Sequence, residues 1–163
     1  MNASDSTLDH AVRACPLAAG LSPPQVDVLA AAVELHSFPA GEVLAREGAV
    51  DDRLIVIVDG TLDVIRHIGT PGESVLATLH AGDLAHELGF LDGTPRYATL
   101  VATSAARILT LDRARLESLI DSEPRVVYAV MTAIVRAVHR LQTRLSMQAA
   151  ELTNYVVKQH GRY

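Results

Sequence analysis

The chain has 163 residues, of which 49% are apolar and 20% are charged, a composition that favours one folded domain and excludes wholesale disorder. A single cysteine, Cys15, excludes an internal disulfide and a cysteine-rich zinc site. The chain has no Trp and few other aromatic residues, which argues against a stacking platform for single-stranded nucleic acid. The start lacks a basic n-region, and uncharged runs such as residues 126–135 are far shorter than the ~20 apolar residues that span a bilayer. We therefore expect a cytoplasmic protein that does not enter membranes.

The net charge of −5 is unevenly distributed along the chain. Residues 1–123 carry eight arginines against eighteen acidic residues, a net charge of −10, whereas residues 124–163 carry a net charge of +5. This asymmetry favours two parts with different roles. The alternative is that the basic segment only neutralises the acidic body.

Residues 1–34 are predicted to form helices. The pattern over residues 7–19 indicates a short helix interrupted near Pro16. The second helix begins after Ser22, which can cap it, and Gln25 three residues later completes a capping box.

Residues 35–111 have the pattern of short strands separated by turns. Strands are predicted over residues 43–45, 54–58, 61–65, 74–79, 97–102 and 106–111. Asp59-Gly60 lies between two of these runs and predicts a β-hairpin. Such spacing is typical of a β-sandwich or barrel.

Residues 112–163 return to helical patterns. Asp112 is placed to cap a short helix over Arg113–Ile120, and Pro124 begins a helix of ~35 residues. Its apolar positions step by four and three, which predicts the seam of a coiled coil and a parallel homodimer. The predicted interface consists of Val127, Met131, Ile134, Val138, Leu141, Leu145 and Leu152, and Gln148 interrupts it once.

Arg136, Arg140 and Arg144 follow one another at four-residue spacing on a face of this helix away from the seam. The face could dock an acidic partner. It could equally be a solvated outer face, or rest against the acidic body.

Residues 82–99 carry the strongest candidate for a binding site. Glu87 is predicted to lie in a turn or short helix, and Arg96, nine residues later, opens a strand, so the two could face each other across a small pocket. The arginine offers a planar fork for a phosphate. A carboxylate would repel that phosphate, so Glu87 should accept a hydrogen bond from a sugar hydroxyl. The alternative is a surface ion pair of little energetic value.

This stretch resembles the phosphate-binding segment of the cyclic nucleotide-binding domain family. The matching residues are Gly82, Asp83, Glu87, Leu88, Leu91, Pro95, Arg96, Ala98 and Thr99. The likeness extends over residues 17–150 and implies a mainly β fold, an eight-stranded β-roll or jelly roll with flanking helices and a long C-terminal dimerisation helix. It also implies that cyclic AMP or cyclic GMP is the ligand, without a metal, that Arg96 holds the cyclic phosphate, and that Glu87 takes the ribose 2′-hydroxyl. The implied ligand-binding residues are His86, Glu87, Leu88, Gly89, Arg96, Tyr97 and Ala98, with Leu141, Gln142 and Thr143 of the long helix near the base.

The sequence departs from the family pattern at His86, where the family has a glycine that lets the backbone approach the ligand. The imidazole could obstruct the phosphate or donate a hydrogen bond to it. Gly89 and Tyr97 also differ from the usual residues and alter the pocket. Three alternatives therefore stay open: another anionic or nucleotide ligand, a pocket that binds nothing, and an iron ligand at His67, His80 or His86, as in haem-sensing relatives.

The predicted function is that of a regulatory sensor. About ten residues follow the long helix, too few for the helix-turn-helix of related transcription regulators, so we expect no DNA binding. The sensor would signal through its dimer helix to a protein partner. The competing hypothesis is a ligand-free interaction or scaffold protein with a degenerate pocket. No nucleophile–base pair or phosphate loop is visible, so the sequence does not support an enzyme.

Overall fold

The computed structural model describes the backbone of residues 3–160 and the side chains of residues 7–144 and 146–151. Residues 1–2 and 161–163, which the sequence assigned to the first and last segments, lie outside this part of the chain. The first helix, α1, covers Ala3–Ala14, a short 3₁₀ turn covers Pro16–Ala18, and α2 covers Pro23–Ala32. The interruption at Pro16 and the capping box are confirmed, since Gln25 Oε1 accepts a hydrogen bond from the backbone N–H of Ser22 at 3.0 Å.

Eight strands form the body of the domain. They are β1 (Val33–Phe38), β2 (Val43–Ala45), β3 (Arg53–Asp59), β4 (Leu62–Arg66), β5 (Ser74–Leu79), β6 (Leu84–Ala85), β7 (Thr99–Ala102) and β8 (Ala106–Asp112). They build two four-stranded antiparallel sheets, in the orders β1-β8-β3-β6 and β2-β7-β4-β5. The predicted fold class, a mainly β roll with flanking helices, is confirmed.

The hydrophobic core has two compartments, and strand β3 separates them. Leu54 and Val56 face the helices and pack in a cluster with residues of α1, α2 and the C-terminal helix. Ile55 and Ile57 point the other way, into the space between the two sheets. Because successive side chains of a strand alternate between its faces, the continuous apolar run of β3 is buried on both sides.

The predicted hairpin at Asp59-Gly60 is wrong. Strand β3 pairs with β8 and β6, whereas β4 pairs with β5 and β7, so the turn carries the chain from one sheet to the other. Of the two turn residues only Gly60 has a positive φ, of 81°, whereas a type I′ hairpin turn needs a positive φ at both. The dipeptide marks a chain reversal correctly, but it does not determine which strand each arm pairs with.

We expect Gly60→Ala to be one of the most destabilising single substitutions in the β-roll. An added Cβ would overlap the carbonyl oxygen of Ala105 and the Cα of Ala106, both backbone atoms that cannot move aside cheaply. Gly41 provides the control, because it has a similar φ of 89° but open space around its Cβ position. Gly41→Ala should cost about 1 kcal/mol of unfolding free energy through backbone strain alone, and Gly60→Ala at least about 2 kcal/mol more. Equal urea midpoints for the two variants would contradict this prediction.

The described part of the chain contains three further helices: α3 (Glu87–Asp92), α4 (Arg113–Glu117) and α5 (Pro124–His160). Helix α4 begins after Asp112 as predicted but ends before the predicted Ile120. The long C-terminal helix is confirmed at 37 residues. No helix among residues 3–160 combines the length and the apolar character needed to cross a membrane.

The first half of α5 packs in the core of its own chain. Its buried side chains are Val126, Ala129, Val130, Ala133, Ile134 and Ala137. Ile134 is 1% exposed, so its assignment to a dimer interface is corrected: its side chain already fills a place within its own domain. Val127 and Met131 are only partly covered by that core. The side chains of Leu145 and Leu152, also predicted at the interface, lie outside the described residues.

Candidate ligand pocket

A cleft lies between the β-roll and α5, and the predicted site residues converge on it. Its floor and sides come from β4, β5, β7 and the segment of β6 and α3, and its remaining wall comes from α5. The lining residues are Val64, Ala77, Leu79, Asp83, Leu84, Ala85, His86, Glu87, Arg96, Tyr97, Ala98, Leu100, Ala137, Arg140, Leu141 and Arg144. Six of the ten residues predicted to bind ligand are among them: His86, Glu87, Arg96, Tyr97, Ala98 and Leu141.

Arg96 is the most deeply buried charged group of this cleft, with 4% of its surface exposed. It is bound by a residue that sequence reasoning missed. Its Nε donates to Asp51 Oδ2 at 2.8 Å and its Nη2 donates to Asp51 Oδ1 at 2.9 Å, so one edge of the guanidinium is engaged by one carboxylate. Such a bidentate pair fixes both the position and the plane of the guanidinium.

The backbone explains why Asp51 reaches Arg96 across 45 residues of chain. Gly48 N–H donates to the carbonyl of Arg96 at 2.7 Å, and Arg96 N–H donates to the carbonyl of Ala49 at 2.9 Å. These two backbone hydrogen bonds hold the turn after β2 beside Arg96, which lies a few residues after the end of α3. Burial alone would raise the pKa of Asp51, but hydrogen bonds from Arg96 and from the backbone of Arg53 outweigh it and lower the pKa.

His86 is held in the left-handed region, with φ 67° and ψ 29°, at the position where the family has glycine. Its ring lies over Gly89, because a Cβ added to Gly89 would overlap the imidazole. The two departures from the family pattern, His86 and Gly89, therefore compensate each other. The imidazole of His86 fills the space that a side chain at position 89 would occupy. His86 Nε2 lies 3.0 Å from the carbonyl oxygen of Asp51, and since a carbonyl only accepts, Nε2 carries the proton.

The surroundings of His86 and Glu87, which both line the cleft, determine their protonation states. Burial and then the charge of Arg96 lower the pKa of His86, so the imidazole is neutral at pH 7. Burial, and then the charge of Asp83, raises the pKa of Glu87. The charge of Arg140 partly offsets that rise. Glu87 forms no salt bridge with another described residue, so its carboxylate is free to accept a hydrogen bond from a ligand.

The register of α5 differs from the predicted one. Gln142 and Thr143 are exposed and do not line the cleft, and Thr143 Oγ1 donates to the carbonyl of His139 instead. Arg140 and Arg144 face the cleft together with Leu141, so of the alternatives for this arginine face the structure favours the one in which it lies against the acidic body. Residues three, four and seven positions apart lie on the same face of a helix. Positions 140, 141 and 144 therefore lie on the same face as the buried Ala137.

Two predicted residues of α3 do not line the cleft. Leu88 is 58% exposed, and Gly89 is buried beneath the ring of His86. Among the described residues, no three His, Cys, Asp or Glu side chains group so that they could hold a metal ion.

Comparison with known proteins places this architecture in one family. Residues 35–123 match the model of the cyclic nucleotide-binding domain, which covers more than half of the chain. The chain belongs to the cyclic nucleotide-binding domain family.

Relatives with known roles are regulators rather than catalytic enzymes. The chain is 25% identical over 127 residues to a CRP-like cAMP-activated global transcriptional regulator of Mycobacterium tuberculosis, covering 78% of this chain and 57% of the relative. It is 27% identical over 141 residues to the cyclic AMP receptor protein of Thermus thermophilus, covering 86% and 65%. The chain thus spans about three fifths of the length of these curated relatives.

The fold is shared with a solved cyclic nucleotide-binding domain from Methylobacillus flagellatus. The TM-score is 0.75, the sequence identity is 24%, and the match covers 93% of this chain and 85% of the other. At this identity the likeness establishes the β-roll and the helices around it.

Proposed function

We propose that this protein is a regulatory sensor that binds a cyclic nucleotide, cyclic AMP or cyclic GMP, in the cleft between its β-roll and α5. The observation that carries the proposal is that Glu87 and Arg96 line the same cleft, one wall of which is helix α5. Arg96 supplies a fork that matches a phosphate, and Glu87 supplies an acceptor that forms no salt bridge with another described residue. The apolar side chains of Val64, Leu79 and Leu100 offer a surface for a flat base.

A phosphate bound at Arg96 would share the guanidinium with Asp51, which accepts from Nε and Nη2. This shared contact links the ligand to the turn after β2, and helix α5 closes the other side of the same cleft. We propose that the ligand acts by changing the position of α5, and that two chains and a protein partner respond to that change through α5.

A second candidate function is supported by the same geometry. With Arg96 bound to Asp51 and the ring of His86 packed over Gly89, the polar groups that would meet a phosphate are already satisfied within the protein. This arrangement suits a β-roll that has lost its ligand and serves as an interaction domain.

Titration calorimetry of the purified chain with cyclic AMP and cyclic GMP distinguishes the two functions. A sensor gives saturable binding of at least one nucleotide with one site per chain. An interaction domain gives no heat with either nucleotide at concentrations up to a millimolar, and that result would overturn the proposal.

We predict that His86→Gly raises the affinity for the cyclic nucleotide. The neutral imidazole cannot act as a cation toward the phosphate, and its ring covers the backbone that the phosphate must approach. A suitable control is His67→Gly, because His67 also has a positive φ, of 54°, but does not line the cleft. Calorimetry should show a gain of about tenfold for the first variant and none for the second, corresponding to ~1.4 kcal/mol. A loss of affinity in His86→Gly, growing as the pH falls well below ~6.5 and the imidazole with its lowered pKa becomes charged, would show instead that His86 donates to the phosphate.

A further inference from the structure

Among its described residues, helix α5 contributes two polar side chains to the cleft, and both are arginines. Arg140 and Arg144 line it on either side of Leu141, one helical turn apart. No salt bridge joins either of them to another described side chain. A guanidinium has five N–H donors and no acceptor, so this wall of the cleft can satisfy only acceptors on a ligand.

The two arginines lie on successive turns of the α5 wall of the cleft. The charge of Arg140 acts on Glu87 and opposes the rise in the pKa of that carboxyl. Arg144 lies roughly 6 Å further along the helix axis. If Arg96 and Glu87 take the phosphate and the ribose, the base occupies the part of the cleft that Arg144 reaches.

We propose that Arg144 selects guanine over adenine, so that the sensor responds to cyclic GMP. Guanine presents two adjacent acceptors, O6 and N7, to which arginine binds in a bidentate manner. Adenine presents N7 beside the N6 amino group, a donor that would meet the donors of Arg144. This inference rests on the proposed cyclic nucleotide site.

The remaining carboxylate of the cleft does not offset this preference. Asp83 Oδ2 accepts from the backbone N–H of His80 at 2.9 Å, so it is already engaged by the turn before β6. Asp83 also lines the cleft, and its charge raises the pKa of Glu87. The described side chains of α5 that line the cleft offer no acceptor for the amino group of adenine.

The test is calorimetry of cyclic GMP and cyclic AMP with the wild type and three variants of the full chain. Arg144→Gln keeps a donor and adds an acceptor, the combination that binds adenine. Arg144→Met keeps the length of the side chain but has neither the donors nor the charge. Arg136→Gln is the matched control, since Arg136 is exposed on the same helix but does not line the cleft.

We expect the wild type and Arg136→Gln to bind cyclic GMP at least about tenfold more tightly than cyclic AMP. Arg144→Met should lose that preference by weakening only cyclic GMP binding, and Arg144→Gln should reverse it. A wild type that prefers cyclic AMP, or a preference unchanged in both Arg144 variants, overturns the inference while the proposed function stands. Absence of binding by either nucleotide overturns the proposed function and this inference together.

Discussion

Arg96→Ala should reduce the affinity for a cyclic nucleotide by at least tenfold to a hundredfold. The loss of one charge-assisted fork to a phosphate costs ~1.5–3 kcal/mol. The structure adds a second consequence, because Arg96 is also the partner of Asp51, whose side chain is only 20% exposed. The variant leaves the Asp51 carboxylate without its guanidinium partner, and we expect a loss of about 1–3 kcal/mol of unfolding free energy.

Two further variants separate binding from stability at this position. The double variant Asp51→Asn/Arg96→Ala removes the unpaired charge, so it should recover most of the stability while still failing to bind. Arg107→Ala breaks a comparable pair with Asp59, but both side chains there are well exposed, at 38% and 44%. It should leave affinity unchanged and alter stability by less than about 1 kcal/mol. Retention of full affinity in Arg96→Ala would remove Arg96 from the site.

Two aspartates placed on the exposed apolar face of α5 should convert a homodimer to a monomer. Tyr128 and Val135 lie seven residues apart and are 68% and 63% exposed. They continue the face formed by Val127, Met131 and Val138, which the chain covers only in part. A second copy of the same face is the self-complementary partner for such a stripe.

The double variant Tyr128→Asp/Val135→Asp puts four charges into the interface of the proposed dimer without disturbing the core of either chain, because both side chains are exposed. Light scattering should give the wild type twice the chain mass of 17.4 kDa and the variant the mass of one chain. Arg136 is also exposed and lies about a quarter turn around the helix from the two substituted positions, on the side away from Val127 and Met131, so Arg136→Asp should remain dimeric. Leu141 is left unchanged because it also lines the cleft. A wild type that is monomeric at high micromolar concentration would contradict the dimer.

The sequence predicts those parts of the molecule that depend on local pattern. Strand β3, the capping box at Ser22 and the long helix after Pro124 all follow from residues within a few positions of one another. The placement of Glu87 and Arg96 on one cleft was also predictable, because Arg96 follows Glu87 by only nine positions and the family pattern contains both.

The features that escaped prediction depend on contacts between distant segments. Nothing near Asp51 indicates that its carboxylate holds Arg96, since that contact is created by backbone hydrogen bonds between two loops. The four-residue spacing of Arg136, Arg140 and Arg144 is compatible with any helix face, and only the burial of Ala137 shows that the last two arginines face the cleft. Asp59-Gly60 marks a turn, but the sheet to which each arm belongs is decided by strands β8 and β5 far along the chain.

The measurement that tests the central claim most directly is a crystal structure of the chain with cyclic GMP bound. We predict that the nucleotide lies between the β-roll and α5, with its phosphate within ~3 Å of the Arg96 guanidinium and its ribose 2′-hydroxyl donating to Glu87. A nucleotide bound elsewhere, with Arg96 still engaged only by Asp51, would contradict the account.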